Sequence, residues 1–225
     1  MHTKQLAFIF LLYILISVPS IAQIPQDQDW ANFAYYSKAN SKVDHRPIAV
    51  FIGDSITDNW DDKDLAFFTD NDILCRGISG QTTSQMLIRF RKDVVAHHPK
   101  YVLIMAGTND IACNTGYIAL DNIVGNIQSM CEIARANKIR PIIVSITPST
   151  AYPWRPSVTD VAGKIMKVNE MLETYAKENR IRYIDLHAAM KDEHNGLPKQ
   201  LSTDGVHPTL EGYAVMAPLI LDALK

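Results

Sequence analysis

Five short apolar runs, rich in β-branched residues and separated by longer segments, constrain the fold of this chain more than any other feature of its sequence. They fall at residues 48–52, 73–74, 101–105, 142–146 and 183–186. Most of these runs are continuously apolar rather than alternating, which is typical of parallel strands covered on both faces. The sequence therefore predicts a central parallel sheet enclosed between two layers of helices.

Helical periodicity fills the segments between the apolar runs. Residues 120–134 and 161–175 repeat apolar side chains at spacings of three and four, which predicts two helices that pack on the sheet. Residues 82–85 have a capping-box pattern, predicting a helix that ends before Pro99, and a last helix is predicted from Thr209 onward. This alternation predicts a three-layer α/β/α sandwich with a central parallel five-stranded sheet, of the flavodoxin-like type.

A further helix is predicted near the N-terminus, over residues 29–42. Its aromatic side chains, Trp30, Phe33 and Tyr36, are expected to pack on the body of the domain.

The first 22 residues resemble a secretory signal peptide. His2 and Lys4 precede an apolar run over residues 6–16, and small residues lead to an expected cleavage between Ala22 and Gln23. A membrane anchor would need about 20 apolar residues, more than this run contains. We therefore expect a secreted or periplasmic protein that is not inserted in a membrane after cleavage, with residues 23–225 forming one domain.

Charge and cysteine content exclude several classes of function. The formal net charge is −2, without long runs of one sign, so neither nucleic acid nor an anionic membrane is an expected partner. Cys75, Cys113 and Cys131 are too few for a disulfide framework and are predicted to be buried free thiols. The seven histidines form no recognised ligand pattern, so neither a metal nor a cofactor is expected. The oligomeric state is left open.

Four short polar blocks follow the predicted elements at positions suited to a catalytic site. They span residues 53–56, 77–80, 107–110 and 204–208, and their sequences are GDSI, GISG, GTND and DGVHP. The first three follow successive strands and the fourth precedes the last helix. Since functional residues of open α/β sheets lie beyond the carboxyl ends of the strands, we expect the four blocks to converge.

The blocks contain the groups that acyl transfer needs. A serine hydroxyl such as that of Ser55 becomes an effective nucleophile when a base, here His207, takes its proton. Asp204, three residues earlier, would orient the imidazole from within the same loop. The backbone N–H groups of Ser55 and Gly80 and the side-chain amide of Asn109 would stabilise the developing oxyanion.

In these blocks, and over essentially the whole mature chain, the sequence resembles the GDSL, or SGNH, hydrolase family of esterases and lipases. The resemblance implies a catalytic triad of Ser55, Asp204 and His207, with Ser55, Gly80 and Asn109 forming the oxyanion hole. One departure is Ile56, which stands where the family name implies leucine. Both side chains are apolar and of similar volume, so no functional consequence is expected.

The substrate is less constrained than the reaction. Tyr152 and Trp154 follow the fourth strand and are predicted to contact substrate, although a plain packed loop is an equal alternative. We expect deacetylation of carbohydrate esters, with hydrolysis of lysophospholipids or short-chain acyl esters as the alternative. A non-catalytic carbohydrate-binding domain is the alternative from another class, although such a domain would not need the complete set of catalytic groups.

Overall fold

The computed structural model describes residues 29–225, and the predicted signal peptide lies outside these residues. Five parallel strands form one sheet in the order β2-β1-β3-β4-β5. Their bounds are β1 Ala49–Gly53, β2 Ile73–Gly77, β3 Tyr101–Met105, β4 Arg140–Val144 and β5 Arg182–Ile184. The predicted five-stranded parallel sheet is confirmed, with individual strand ends shifted by one to three residues.

Nine α-helices accompany the sheet within the described residues. They are α1 Ser37–Asn40, α2 Ser55–Lys63, α3 Leu65–Thr69, α4 Thr83–Asp93, α5 Thr108–Ile111, α6 Leu120–Ala136, α7 Val161–Asn179, α8 Leu186–Met190 and α9 Leu210–Ala223. The predicted capping box begins α4: the Thr82 N–H donates to Gln85 Oε1 at 3.0 Å. A short 3₁₀ helix, Val95–His97, continues α4 toward Pro99.

Two apolar cores lie on opposite faces of the sheet and give the predicted three layers. On one face Val50, Ile52, Val102 and Ile104 pack against α4, α6 and α7. On the other, alternate residues of the same strands pack against α2, α3, α8 and α9. Trp60 of α2 is fully buried in this second core, stacked between Phe67 and Tyr213. Burial on both faces explains why the strands are continuously apolar.

The N-terminal segment differs from its prediction. Instead of one helix over residues 29–42 it forms turns followed by the single-turn α1, because Asn32 adopts a left-handed conformation and Asp29 accepts a hydrogen bond from Ala34 N. Trp30 and Phe33 are exposed, so their predicted packing is wrong. Only Tyr36 is half-buried, and its hydroxyl donates to the carbonyl of Gly77.

The three cysteines are free, as predicted, but they are not equally buried. Cys75 and Cys131 lie in the cores, whereas Cys113 is only half-buried. Cys113 follows α5 in a left-handed turn, and this places it at the surface.

Within residues 29–225 no helix combines the length and apolar character needed to cross a membrane.

Candidate active site

The first predicted block begins where β1 ends and α2 starts without an intervening loop. Ser55 is the first residue of α2, and Asp54 caps the helix by accepting a hydrogen bond from Ile56 N at 2.9 Å. Burial raises the pKa of Asp54 to about 6, although the bond from Ile56 opposes this shift. Ser55 therefore lies at the positive end of the α2 dipole.

The glycines that open the first two blocks let α2 cross directly over the strand ends. Gly53 and Gly77 are paired across β1 and β2. A Cβ on Gly53 would lie 2.1 Å from Thr57 Oγ1, and one on Gly77 would lie 2.3 Å from the backbone N of Asp58. Because any side chain at these positions would collide with α2, glycine brings Ser55 close to the loop that follows β2.

The loop after β2 is held in place from both sides. On one side Asp58 Oδ2 accepts hydrogen bonds from the backbone N and the hydroxyl of Ser79, at 3.1 and 2.7 Å. On the other, the fully buried Arg89 of α4 donates to Gln81 Oε1 at 2.6 Å and pairs with Asp93 at 3.1 Å. Gly80 has a positive φ of 79°, and its N–H donates to no partner among the described residues.

Asn109 lies in the first turn of α5, directly beyond the end of β3. Its Nδ2 donates to the carbonyl of Gln81 at 3.1 Å, which ties α5 to the loop after β2. The neighbouring Asp110 is buried and accepts from the backbone N and hydroxyl of Thr83, at 2.9 and 2.6 Å. Burial raises the pKa of Asp110, against the effect of these bonds. Asp110 thus joins α5 to α4.

The fourth block brings an acid and a base to Ser55. His207 Nε2 lies 2.9 Å from Ser55 Oγ, and His207 Nδ1 lies 2.7 Å from Asp204 Oδ2. Asp204 Oδ1 accepts from the backbone N–H groups of Val206 and His207 at 2.9 and 2.8 Å. Partial burial disfavours the Asp204 carboxylate, but the bonds from the His207 ring and from these N–H groups lower its pKa to about 2. Asp204 is therefore an anion at neutral pH.

The side chains of Ser55, Asn109 and His207 meet in one shallow cleft of about 350 Å³. Its lining residues are Ser55, Asn59, Ser79, Gly80, Asn109, Asn114, Trp154 and His207. Trp154 is 39% exposed, and its ring centroid lies 6.1 Å from that of His207. Of the two aromatics predicted to contact substrate, Trp154 therefore lines the cleft. Tyr152 does not, because it is 1% exposed and packs behind Trp154 with ring centroids 5.1 Å apart.

Three lining residues were missed in the sequence. The first is Ser79, which directly precedes Gly80 in the second block. Asn59 follows Ser55 by four residues on α2, so helical spacing alone places both on one face. Asn114 follows the end of α5 and is placed by the turn through Cys113, for which the sequence carries no periodic signal. Among the described residues no group of three or more His, Cys, Asp or Glu side chains could hold a metal ion.

Comparison with known proteins gives consistent matches. The model of the GDSL-like Lipase/Acylhydrolase family matches residues 51–215. The crystal structure of a GDSL-like lipase from Bacteroides thetaiotaomicron is 42% identical, with a TM-score of 0.84 over 87% of this chain and 98% of that chain.

Two curated enzymes are more distant relatives. An isoamyl acetate-hydrolyzing esterase of Saccharomyces cerevisiae is 27% identical over 68% of this chain and 69% of its own length. An acetylxylan esterase of Geobacillus stearothermophilus is 25% identical over 66% of this chain and 70% of its own length.

Proposed function

Because the chain belongs to the GDSL-like lipase/acylhydrolase family and is a carboxylic ester hydrolase, we propose that it hydrolyses small acyl esters, chiefly acetyl esters of carbohydrates, through an acyl-enzyme on Ser55. One observation carries the proposal: the unbroken series Ser55 Oγ, His207 and Asp204, with contacts of 2.9 and 2.7 Å. That series is the arrangement by which a hydroxyl is activated for attack on an ester carbonyl.

In the acylation step His207 Nε2 takes the proton of Ser55 Oγ as the oxygen bonds to the ester carbonyl carbon. Asp204 stabilises the imidazolium that forms and holds Nδ1–H toward itself. When the tetrahedral intermediate collapses, the bond to the alcohol oxygen breaks and His207 gives its proton to the leaving alcohol. Water then attacks the acyl-enzyme with His207 again as the base, releasing the acid and restoring Ser55.

The negative charge of each tetrahedral intermediate is placed among three donors. These are the backbone N–H groups of Ser55 and Gly80 and the side-chain amide of Asn109, whose residues all line the cleft. The N–H groups at the start of α2 add the positive end of a helix dipole. Because these donors are fixed by the fold, they stabilise the transition state without reorganising during the reaction.

The size and the lining of the cleft favour an ester substrate with a small acyl group and a polar alcohol. At about 350 Å³ it is at the lower end of the volumes of ligand pockets. Asn59, Ser79 and Asn114 present polar groups beside the half-exposed indole of Trp154, a combination suited to the hydroxyls and the apolar face of a sugar ring. Both of the relatives above are named for the hydrolysis of acetate esters, one of isoamyl alcohol and the other of xylan.

A second candidate substrate class is the acetates of small aliphatic alcohols. The specific observation in its favour is the match to the isoamyl acetate-hydrolyzing esterase. The two classes share the acyl group and differ in the alcohol, so they differ in what Trp154 and the neighbouring amides would contact.

Export of the protein belongs to the same proposal. It is supported by the signal-peptide pattern of residues 1–22. N-terminal sequencing of the protein recovered outside the cytoplasm should begin at Gln23, and an N-terminus at Met1 would contradict the predicted cleavage.

The reaction is tested with the purified mature chain on p-nitrophenyl esters of two, four and eight carbons and on acetylated xylo-oligosaccharides. We expect kcat/KM to fall with acyl length, and Ser55→Ala to abolish turnover of every substrate. The matched control is Ser129→Ala, which removes a serine from α6 outside the cleft. Equal rates for the wild type and Ser55→Ala would reject the proposed nucleophile, and a preference for the eight-carbon ester would reject the proposed acyl size.

A further inference from the structure

Four residues around the cleft are joined by a continuous series of hydrogen bonds, which we call the Asn109 network. Trp154 Nε1 donates to Asn114 Oδ1 at 3.0 Å. Asn114 Nδ2 donates to Asn109 Oδ1 at 2.7 Å, and Asn109 Nδ2 donates to the carbonyl of Gln81 at 3.1 Å. The network thus runs from the exposed wall of the cleft to the loop after β2.

The two ends of the Asn109 network fix the direction of every bond between them. An indole N–H is only a donor, so it requires the oxygen of Asn114. A backbone carbonyl is only an acceptor, so Gln81 requires the nitrogen of Asn109. Reversing either amide would set oxygen against oxygen or nitrogen against nitrogen. The observed direction is therefore the only one in which all three bonds form.

The orientation of the Asn109 amide matters for catalysis because one side of this amide faces the cleft. Its Nδ2 carries two hydrogens, of which Gln81 takes one and leaves the other free for a ligand. Its Oδ1 is occupied by Asn114. A reversed amide would instead present a carbonyl oxygen to the developing oxyanion, so that attraction would become repulsion.

We propose that Asn114 is a positioning residue that keeps the donor side of Asn109 toward the oxyanion, with Trp154 as its anchor. This inference rests on the proposed function, since it concerns a step of the same reaction. Asn114 is further tied to its target by its own backbone, whose N–H donates to the carbonyl of Asn109 at 3.0 Å. The network also gives Trp154 a role beyond lining the cleft, because its N–H fixes the amide orientation of Asn114 and, through it, that of Asn109.

Two substitutions of Asn114 separate positioning from packing. Asn114→Ala removes the hydrogen bond to Asn109 Oδ1 and a longer one, of 3.3 Å, to the carbonyl of Gly80. Gln81 still favours the correct amide orientation, so kcat should fall by about three- to tenfold. Asn114→Asp supplies an acceptor where Asn109 needs a donor, so it favours the reversed amide. Its kcat should fall by about 10²-fold, close to the loss expected for Asn109→Ala. KM for p-nitrophenyl acetate should change less than twofold in both.

A double-mutant cycle tests whether Asn114 acts through Asn109. Each Asn114 substitution is measured alone and combined with Asn109→Ala, with thermal unfolding as a check that all variants are folded. If Asn114 positions Asn109, neither substitution lowers kcat further once the amide of Asn109 is gone. A direct repulsion between Asp at position 114 and the oxyanion would persist in the Asn109→Ala background, and so would a general loss of packing.

Trp154→Phe provides an independent arm, because it keeps an aromatic ring but removes the indole N–H together with the five-membered ring that carries it. A loss caused by the smaller ring alone would persist in Asn114→Ala. Trp154→Phe should lower kcat by about threefold in the wild type and not at all in Asn114→Ala. Multiplicative losses in either cycle, or Asn114→Ala and Asn114→Asp both within twofold of the wild type, would overturn the positioning role. Full activity of Ser55→Ala would instead reject the proposed function itself, and this inference with it.

Discussion

Removing the buried guanidinium of Arg89 should destabilise the protein far more than removing an exposed charge from α4. Arg89 is fully buried, and its partners are the Asp93 carboxylate at 3.1 Å, Gln81 Oε1 at 2.6 Å, and the carbonyls of Arg76 and Gly53 at 2.9 and 3.2 Å. We consider Arg89→Met, which keeps an unbranched side chain but none of the donors.

The expected loss in the free energy of unfolding follows from the Asp93 carboxylate, which Arg89→Met leaves buried without its ion-pair partner. Asp93 is 1% exposed, and within residues 29–225 it would retain one side-chain partner, Asn40 Nδ2 at 2.8 Å. Breaking a buried ion pair by removing one member costs about 3–5 kcal/mol, because the remaining charge is poorly compensated. For a protein of this size each kcal/mol lowers Tm by about 2–4 °C, so a decrease of roughly 6–20 °C is expected.

The assay is urea unfolding followed by circular dichroism, together with a thermal scan. The matched control is Arg91→Met on the exposed face of α4, which should change the free energy of unfolding by less than about 0.5 kcal/mol. Adding Asp93→Asn to Arg89→Met should restore part of the loss, because it removes the unpaired charge. The reasoning is refuted if Arg89→Met and Arg91→Met unfold at the same urea concentration.

Three further predictions concern the residues around the cleft. Asn109→Ala should lower kcat by about 10²–10³-fold in a protein that still folds, and a loss below threefold would contradict its oxyanion role. Gly77→Ala should prevent α2 from packing on the sheet, since its Cβ would lie 2.3 Å from Asp58 N. The control Gly125→Ala meets no neighbouring atom and should be tolerated. Equal Tm values for these two variants would contradict this prediction. Burial raises the pKa of Asp54 to about 6, so the folded state holds its proton more tightly than the unfolded state. The free energy of unfolding of the wild type relative to Asp54→Asn should therefore be highest below about pH 4. It should decrease by about 3 kcal/mol as the pH rises through 6. A pH-independent difference between these two proteins would show that Asp54 does not titrate in this way.

The architecture was predictable because the apolar pattern of each strand is a local property. Strands such as β3, continuously apolar over five residues, leave little choice but burial on both faces. The convergence of Ser55 and Asn109 was equally predictable, since residues at the carboxyl ends of neighbouring parallel strands meet at one edge of the sheet. His207 joins them from the loop before α9, and its place was indicated by the block pattern rather than by a strand end.

What the sequence did not indicate depends on turns and on side-chain direction. Asn114 reaches the cleft only because Cys113 adopts a left-handed turn, which is uncommon for a residue other than glycine. Tyr152 and Trp154 are two residues apart in an irregular loop, so neither a helical nor a strand period shows which of them is buried. In the N-terminal segment the apolar spacing suggested a helix, but local hydrogen bonding to Asp29 competes with helix formation.

The distribution of the catalytic groups along the chain has a consequence for how the protein acquires activity. Asp204 and His207 are three residues apart and bond within a single loop, whereas Ser55 and His207 are separated by 152 positions. For Ser55 and His207 to meet, the C-terminal α9 must pack on α2. The hydroxyl of Tyr213 on α9 donates to the carbonyl of Ile56 on α2 in this contact. In a refolding experiment, ester hydrolysis would therefore appear only once α9 has docked on α2, and formation of the sheet alone would not produce it.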